Sequence, residues 1–183
     1  MAAGLKDSTI ELQDFDAVVR LYRPVIYRFA LASLRDRDAA EILAQDCFLR
    51  AYRSRNGFRG EATVKTWLMQ IAVNLVRDRI RNRRLQFWRR AQSSAVNVRE
   101  LEDCVATRNV SPEAHALLNE QVRAVWEATE DLSGRQRAVF LLRFVEEMEL
   151  AEIGEVLGMK TGTVKAHLFR ALNMVRKRIG RQT

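Results

Sequence analysis

Apolar residues recur every three or four positions along most of this chain, and little interrupts them. Phe15, Val18, Val19, Tyr22, Ile26, Phe29, Ala30 and Leu34 form the first such ladder. That spacing places side chains on one face of an α-helix and conflicts with the strict alternation of a half-buried strand. Eight glycines and two prolines among 183 residues are too few for a turn-rich β chain. The fold class is therefore all-α. Pro24 lies inside the first ladder, where it can kink the helix.

The remaining ladders outline two groups of helices. A second helix is predicted from about Asp38 to Arg53, with Ile42, Leu43, Cys47, Phe48, Ala51 and Tyr52 turned inward. Asn56-Gly57 and Gly60 then supply turn chemistry. A third helix starts near Glu61 or Thr63 and runs to about Arg84. On it, Val64, Trp67, Leu68, Ile71 and Leu75 centre an apolar arc that Met69, Val73, Val76 and Ile80 widen. The polar remainder is a narrow stripe of Gln70, Asn74, Arg77, Arg81 and Arg84, none of them acidic. Amides and guanidiniums on one line suit phosphates and base edges.

Periodicity fades from about Leu85 to Asn109, although the start of that stretch can extend the third helix. Ser111-Pro112-Glu113 reads as a helix start, running to about Thr129. Another helix spans Gly134 to Glu146 and buries Ala138, Val139, Leu141 and Leu142. The last stretch has helix-turn-helix form. Glu149–Leu157 is short, with Leu150, Ile153 and Leu157 inward; Gly158 suits a left-handed turn; Thr161 is read as the cap of the next helix. Val164, Leu168, Leu172, Val175 and Ile179 face back, and Thr163, Ala166 and Arg170 form an outward wedge flanked by Lys165 and His167. Such a wedge can enter a major groove. The architecture predicted is two small helical domains, residues 1–90 and 111–183, joined by a flexible linker over residues 91–110.

Charge narrows the function. The net charge of +8 calls for an anionic partner. Residues 77–90 alone carry seven arginines against one aspartate, and residues 165–181 carry six basic side chains and no acid. Between them, residues 100–152 hold twelve acids and five bases. The basic faces bear amides and threonines rather than deep apolar stripes, which disfavours a membrane-surface protein. No apolar run approaches the roughly 18 residues of a spanning helix, and the N-terminus lacks the pattern of a signal peptide. Two cysteines and two histidines are too few for a cysteine cage or a histidine-rich metal site. Cys47 reads as core, Cys104 as a linker thiol, and His115 as a spectator. Carboxylate pairs such as Glu146-Glu147 read as solvated. No catalytic residue, metal or cofactor is expected, and the setting is expected to be cytoplasmic.

Particular strings carry a resemblance. AQDCFLRAYR, FRGEATVKTWLMQIAVN and DRIRNRR are similar to region 2 of bacterial sigma factors of the extracytoplasmic-function (ECF) group, and EIGEVLGMKTGTVKAHLFRAL to their region 4. The resemblance implies a promoter-specificity subunit that binds RNA polymerase core and helps melt DNA. It implies that Gln45, Asp46, Leu49 and Arg50 dock on the clamp helices of the largest subunit. Asn56, Gly57, Phe58 and Arg59 would capture a base flipped from the −10 element. Gln70, Asn74, Arg77, Arg81 and Arg84 would guide the separated strand, with Trp67 on the same helix but in its apolar arc. Thr161, Thr163, Lys165, Ala166, His167 and Arg170 would read the −35 element, while their domain meets the flap of the second-largest subunit. An anti-sigma factor is a further implied partner.

The chain departs from the family pattern at Ile42, where an acid is common, and at Ser133, where a proline is usual. Glu147 and Glu149 stand where glycine and serine are usual, and Ala166-His167 replace a common Ser-Arg pair. A −35 preference differing from the family's commonest is therefore expected. The competing reading, a dimeric helix-turn-helix regulator, accounts for the C-terminal half but not for the arginine stripe or the Asn-Gly turn.

Overall fold

The computed structural model describes residues 14–87 and 123–180, with side chains left aside for residues 83–87. Seven α-helices and no strand occur among the described residues. Contacts divide the chain into two compact units, with the first break after Ser93. The predicted linker and helix start at Ser111, along with Cys104 and His115, lie outside the described residues.

The first unit is a bundle of α1 (Phe15–Leu34), α2 (Arg37–Ser54) and α3 (Val64–Phe87). Asp14 and Asp36 begin the first two helices, their carboxylates accepting from the Ala17 and Ala39 N–H groups at 2.9 Å. Arg35, left-handed at φ 52°, turns the chain between them in two residues. Thr63 begins α3 by accepting from the Thr66 N–H at 3.1 Å, and its hydroxyl also meets that of buried Thr66. α1 runs unbroken through Pro24, which lies on its exposed side.

α2 lies against both other helices because its inner face is mostly small. Ala39, Ala40, Ala44, Cys47 and Ala51 are buried there beside Leu43 and Phe48. Small contact residues let helix axes approach closely. That choice of face corrects the sequence reading at two positions: Ile42 is 46% exposed and Tyr52 47%. Their rotation on the helix belongs to a second apolar line, and close packing favoured the alanine line.

The C-terminal part of the chain contains α4 (residues 123–128), a 3-10 turn (Thr129–Asp131), α5 (Gly134–Phe144), α6 (Leu150–Leu157) and α7 (Thr161–Ile179), of which the second unit takes all but Gly154–Met159. Trp126, Leu132, Val139, Phe140, Leu141, Leu142, Met148 and Val164 are buried. Ser133 opens α5 with a reciprocal capping box: its hydroxyl accepts from the Gln136 N–H, and its own N–H donates to Gln136 Oε1 at 3.0 Å. A helix start is thus preserved without the family's proline. α5 ends at Phe144 rather than Glu146, and Glu146 is buried rather than solvated. Gly158 adopts φ 64°, as its position required.

Candidate nucleic-acid interface

Three surfaces carry the residues singled out by sequence. On α2, Gln45, Asp46, Leu49 and Arg50 are all exposed. Ile42 and Leu49 (48% exposed) lie seven residues apart, two turns along the same side of the helix. An exposed leucine and isoleucine with a carboxylate between them form a mixed apolar and charged surface. Ile42, read as core from its apolarity, belongs to this surface. Asp46 and Arg50 also line a groove of about 360 Å³ with Leu43 and, from α3, Leu75, Asp78, Arg79 and Asn82.

Cys47 points away from that face into the bundle, its thiol 3.5 Å from the Leu68 carbonyl oxygen. Burial pushes its pKa up to about 12, with Arg50 pulling the other way. A thiol so placed is a core residue and a poor nucleophile at neutral pH.

The turn after α2 is a second surface. Arg55–Gly57 form a single 3-10 turn closed by the Phe58 N–H donating to the Arg55 carbonyl at 3.2 Å. Asn56, Gly57 and Arg59 are exposed. Phe58 is half-buried, its ring 5.1 Å from that of Trp67. Trp67 is itself half-buried, so the apolar arc of α3 ends in an aromatic pair under the turn. Phe58 is therefore anchored, and a base reaching it meets a ring already in contact on one side.

Along α3, Asn74, Arg77 and Arg81 are exposed and Gln70 is half-buried; the side chain of Arg84 lies outside the described residues. Two members of the stripe are bonded to each other. Arg77 Nη2 donates to Asn74 Oδ1, which fixes the amide with its NH2 group as the unused edge. Arg81 pairs with Asp78 at 3.2 Å. No member of the stripe is acidic, but Asp78, an i,i+3 neighbour of Arg81, reaches it from the side. Both partners are well exposed, so this pair is weak and easily exchanged for a phosphate.

The third surface is the outer side of α7. Thr161, Thr163, Lys165, Ala166 and Arg170 are exposed, while Val164, Ala171 and Val175 are buried behind them. Thr161 is not the cap. Lys160 occupies that position without a side-chain bond, accepting from the Thr163 and Val164 N–H groups through its carbonyl. Thr161 is the first helical residue, so its hydroxyl belongs to the outer surface. His167 is half-buried, and its Nδ1 is closed off from solvent with no hydrogen-bond partner among the described residues. That nitrogen cannot meet DNA without rotation of the ring. Phe169 is 65% exposed between Lys165 and Asn173 in sequence, outside the register of the buried residues. Sequence reading passed over it, although being off the buried period was the available signal.

Comparison with known proteins identifies the same segments. Residues 18–86 match sigma-70 region 2 and residues 122–175 match sigma-70 region 4. The ECF RNA polymerase sigma factor SigW of Bacillus subtilis is 30% identical over 165 residues, which cover 90% of this chain and 88% of that protein. The ECF RNA polymerase sigma-E factor of Escherichia coli K12 is 30% identical over 164 residues, covering 85% and 83%. Among solved structures, the sigma factor RpoE bound to the anti-sigma factor NepR, from Bartonella quintana, has the same fold. Its TM-score is 0.71 at 22% identity, covering 92% of this chain and 98% of that one.

Proposed function

The chain belongs to the ECF sigma factors, the subunits that direct RNA polymerase to promoters, and from that premise we propose how its surfaces divide the task. Its partners are RNA polymerase core and promoter DNA. The proposal gives residues 1–90 to core binding and the −10 element, residues 91–110 to a linker, and residues 111–183 to the −35 element.

In this reading the α2 face of Gln45, Asp46, Leu49 and Arg50, extended by Ile42, docks on the clamp helices. The turn Asn56–Arg59 receives an extruded base, and Gln70, Asn74, Arg77, Arg81 and Arg84 hold the strand that leads to it. Thr161, Thr163, Lys165, Ala166, His167 and Arg170 face the upstream duplex, with the flap contacting the same domain. The observation that carries the −10 assignment is the stripe of amides and arginines along α3, with Arg77 bonded to Asn74, on the helix that follows an exposed Asn-Gly turn.

The physics of melting fits this division. Extruding a base costs a few kcal/mol. A cationic track returns part of that through phosphate contacts, and each stacked base contributes about 1–3 kcal/mol. No bond is made or broken in these steps, so the chain acts by binding alone, as a non-enzymatic factor working in the cytoplasm beside the polymerase. Anti-sigma control extends the reading, since the structural relative RpoE is held by one.

Run-off transcription with core polymerase tests it. Asn56→Ala and Arg77→Ala should each lower promoter opening by roughly tenfold, the loss of one hydrogen-bonded contact, while core binding stays near normal. Equal loss of core binding and opening would refute the assignment.

A further inference from the structure

We propose that Arg55 is a fixed phosphate clamp beside the Asn56–Gly57 turn, gripping the strand backbone next to the base that the turn captures. The inference rests on the −10 assignment of that turn. Arg55 lies outside every group of residues assigned above, yet it begins the turn that the assignment uses.

Its side chain is held in a way unlike the other arginines nearby. The guanidinium carbon sits 3.7 Å from the centre of the Tyr52 ring, a cation–π stack. Its Nη1 also donates to the Tyr52 carbonyl at 2.5 Å. The Tyr52 ring is braced in turn by Phe15, edge-on at 5.2 Å, and Phe15 reaches the core ring of Phe48 at 6.5 Å. A line of aromatic rings therefore connects the bundle interior to one guanidinium at the surface. Tyr52 is 47% exposed, and its ring serves to join Phe15 to Arg55.

Among the described residues no carboxylate meets the charge so placed. Arg23 pairs with Glu41, Arg20 with Asp14 and Arg81 with Asp78, whereas Arg55 pairs with no carboxylate among the described residues. One of its five N–H donors is engaged, and the rest of the planar fork remains for an oxyanion. Stacking has already removed much of the rotamer freedom that an arginine loses on binding, so a phosphate meets a preorganised partner. Asn56 and Gly57, exposed, follow Arg55 directly in the same 3-10 turn, so the clamp and the capture site are neighbours in the chain.

The test uses holoenzyme reconstituted from core polymerase and the full chain, binding a fluorescent fork template with a single-stranded −10 segment across a salt series. Arg55→Ala should weaken binding by roughly tenfold at moderate salt. It should also make the slope of log K against log salt shallower by about 0.7, one single-strand phosphate contact. Arg55→Lys should keep the slope and lose part of the affinity, because lysine keeps the charge but not the planar stack. Tyr52→Leu should do the same by releasing the pinned fork. An unchanged slope in Arg55→Ala overturns the clamp, even where thermal stability falls, because a purely structural contact does not move the slope. Wild-type affinity in Tyr52→Leu overturns it as well. If Asn56→Ala and Arg77→Ala lose binding while Arg55→Ala does not, the clamp alone has failed. If all three bind like wild type, the −10 assignment has failed and the clamp with it.

Discussion

Gly57 is a glycine that its own fold does not demand. Its backbone φ is not positive, and a methyl group built on it would have no neighbour within 4 Å. Gly158, by contrast, sits at φ 64° and has a backbone reason to be glycine. In the proposed reading, close approach of a base would be the use of a bare backbone at position 57. Gly57→Ala should leave the free protein as stable as before or raise it by about 0.4–1 kcal/mol, read from thermal melting. The same substitution should weaken binding of holoenzyme to a single-stranded −10 segment by about 1–3 kcal/mol, the cost of crowding a closely packed contact. Wild-type binding would mean that no base hugs this turn. The Asn-Gly pair was legible in sequence as a turn. That its glycine is sterically unnecessary became visible only once its surroundings were built.

At the scale of elements, the connection from α5 to α6 shows how a helix end can be strained. Glu147 is held at φ 54°, a left-handed conformation in which a side chain is crowded. Around it the Met148 N–H donates to the Leu142 carbonyl at 3.0 Å, and Arg143 donates to the Met148 carbonyl at 3.0 Å. These bonds, with Glu146 buried alongside, hold the turn in place. Glu147→Gly should stabilise the C-terminal unit by about 1 kcal/mol, because glycine accepts this conformation without steric cost. Calorimetry of the full chain should show the transition of that unit rise by roughly 4–8 °C. A fall would mean that the Glu147 side chain contributes more than its backbone costs. The departure from glycine at this position was legible in sequence, and the structure supplies its consequence. Helix existence was legible for the same reason everywhere: apolar spacing is a local property. The buried face of α2 was legible in Leu43, Cys47, Phe48 and Ala51, but its limits were not, since Ile42 and Tyr52 are apolar too and lie exposed. The alanines decided them by allowing closer approach, and closeness is a relation between helices.

For the whole molecule, charge and function divide together. The net +8 resolves into two basic blocks, one continuing α3 and one on α7, in different compact units. Because Arg77 and Arg170 belong to separate units and share no partner, their contributions should be independent. On a template carrying a duplex −35 element and a single-stranded −10 segment, the losses from Arg77→Ala and Arg170→Ala should add within about 0.5 kcal/mol. A double variant that deviates by more would show that the two elements are read cooperatively. What the sequence alone determined is the class of helix, the two-part plan, the placement of basic charge and the strings that mark the family. Each depends on neighbours a few residues apart or on residue identity itself. The tertiary structure decided which apolar residues are surface, that Phe58 is anchored on Trp67, that Lys160 rather than Thr161 begins α7, and that Arg55 rests on Tyr52. Those outcomes depend on packing density, ring contacts and hydrogen-bond geometry, which exist only after helices and turns have been brought together.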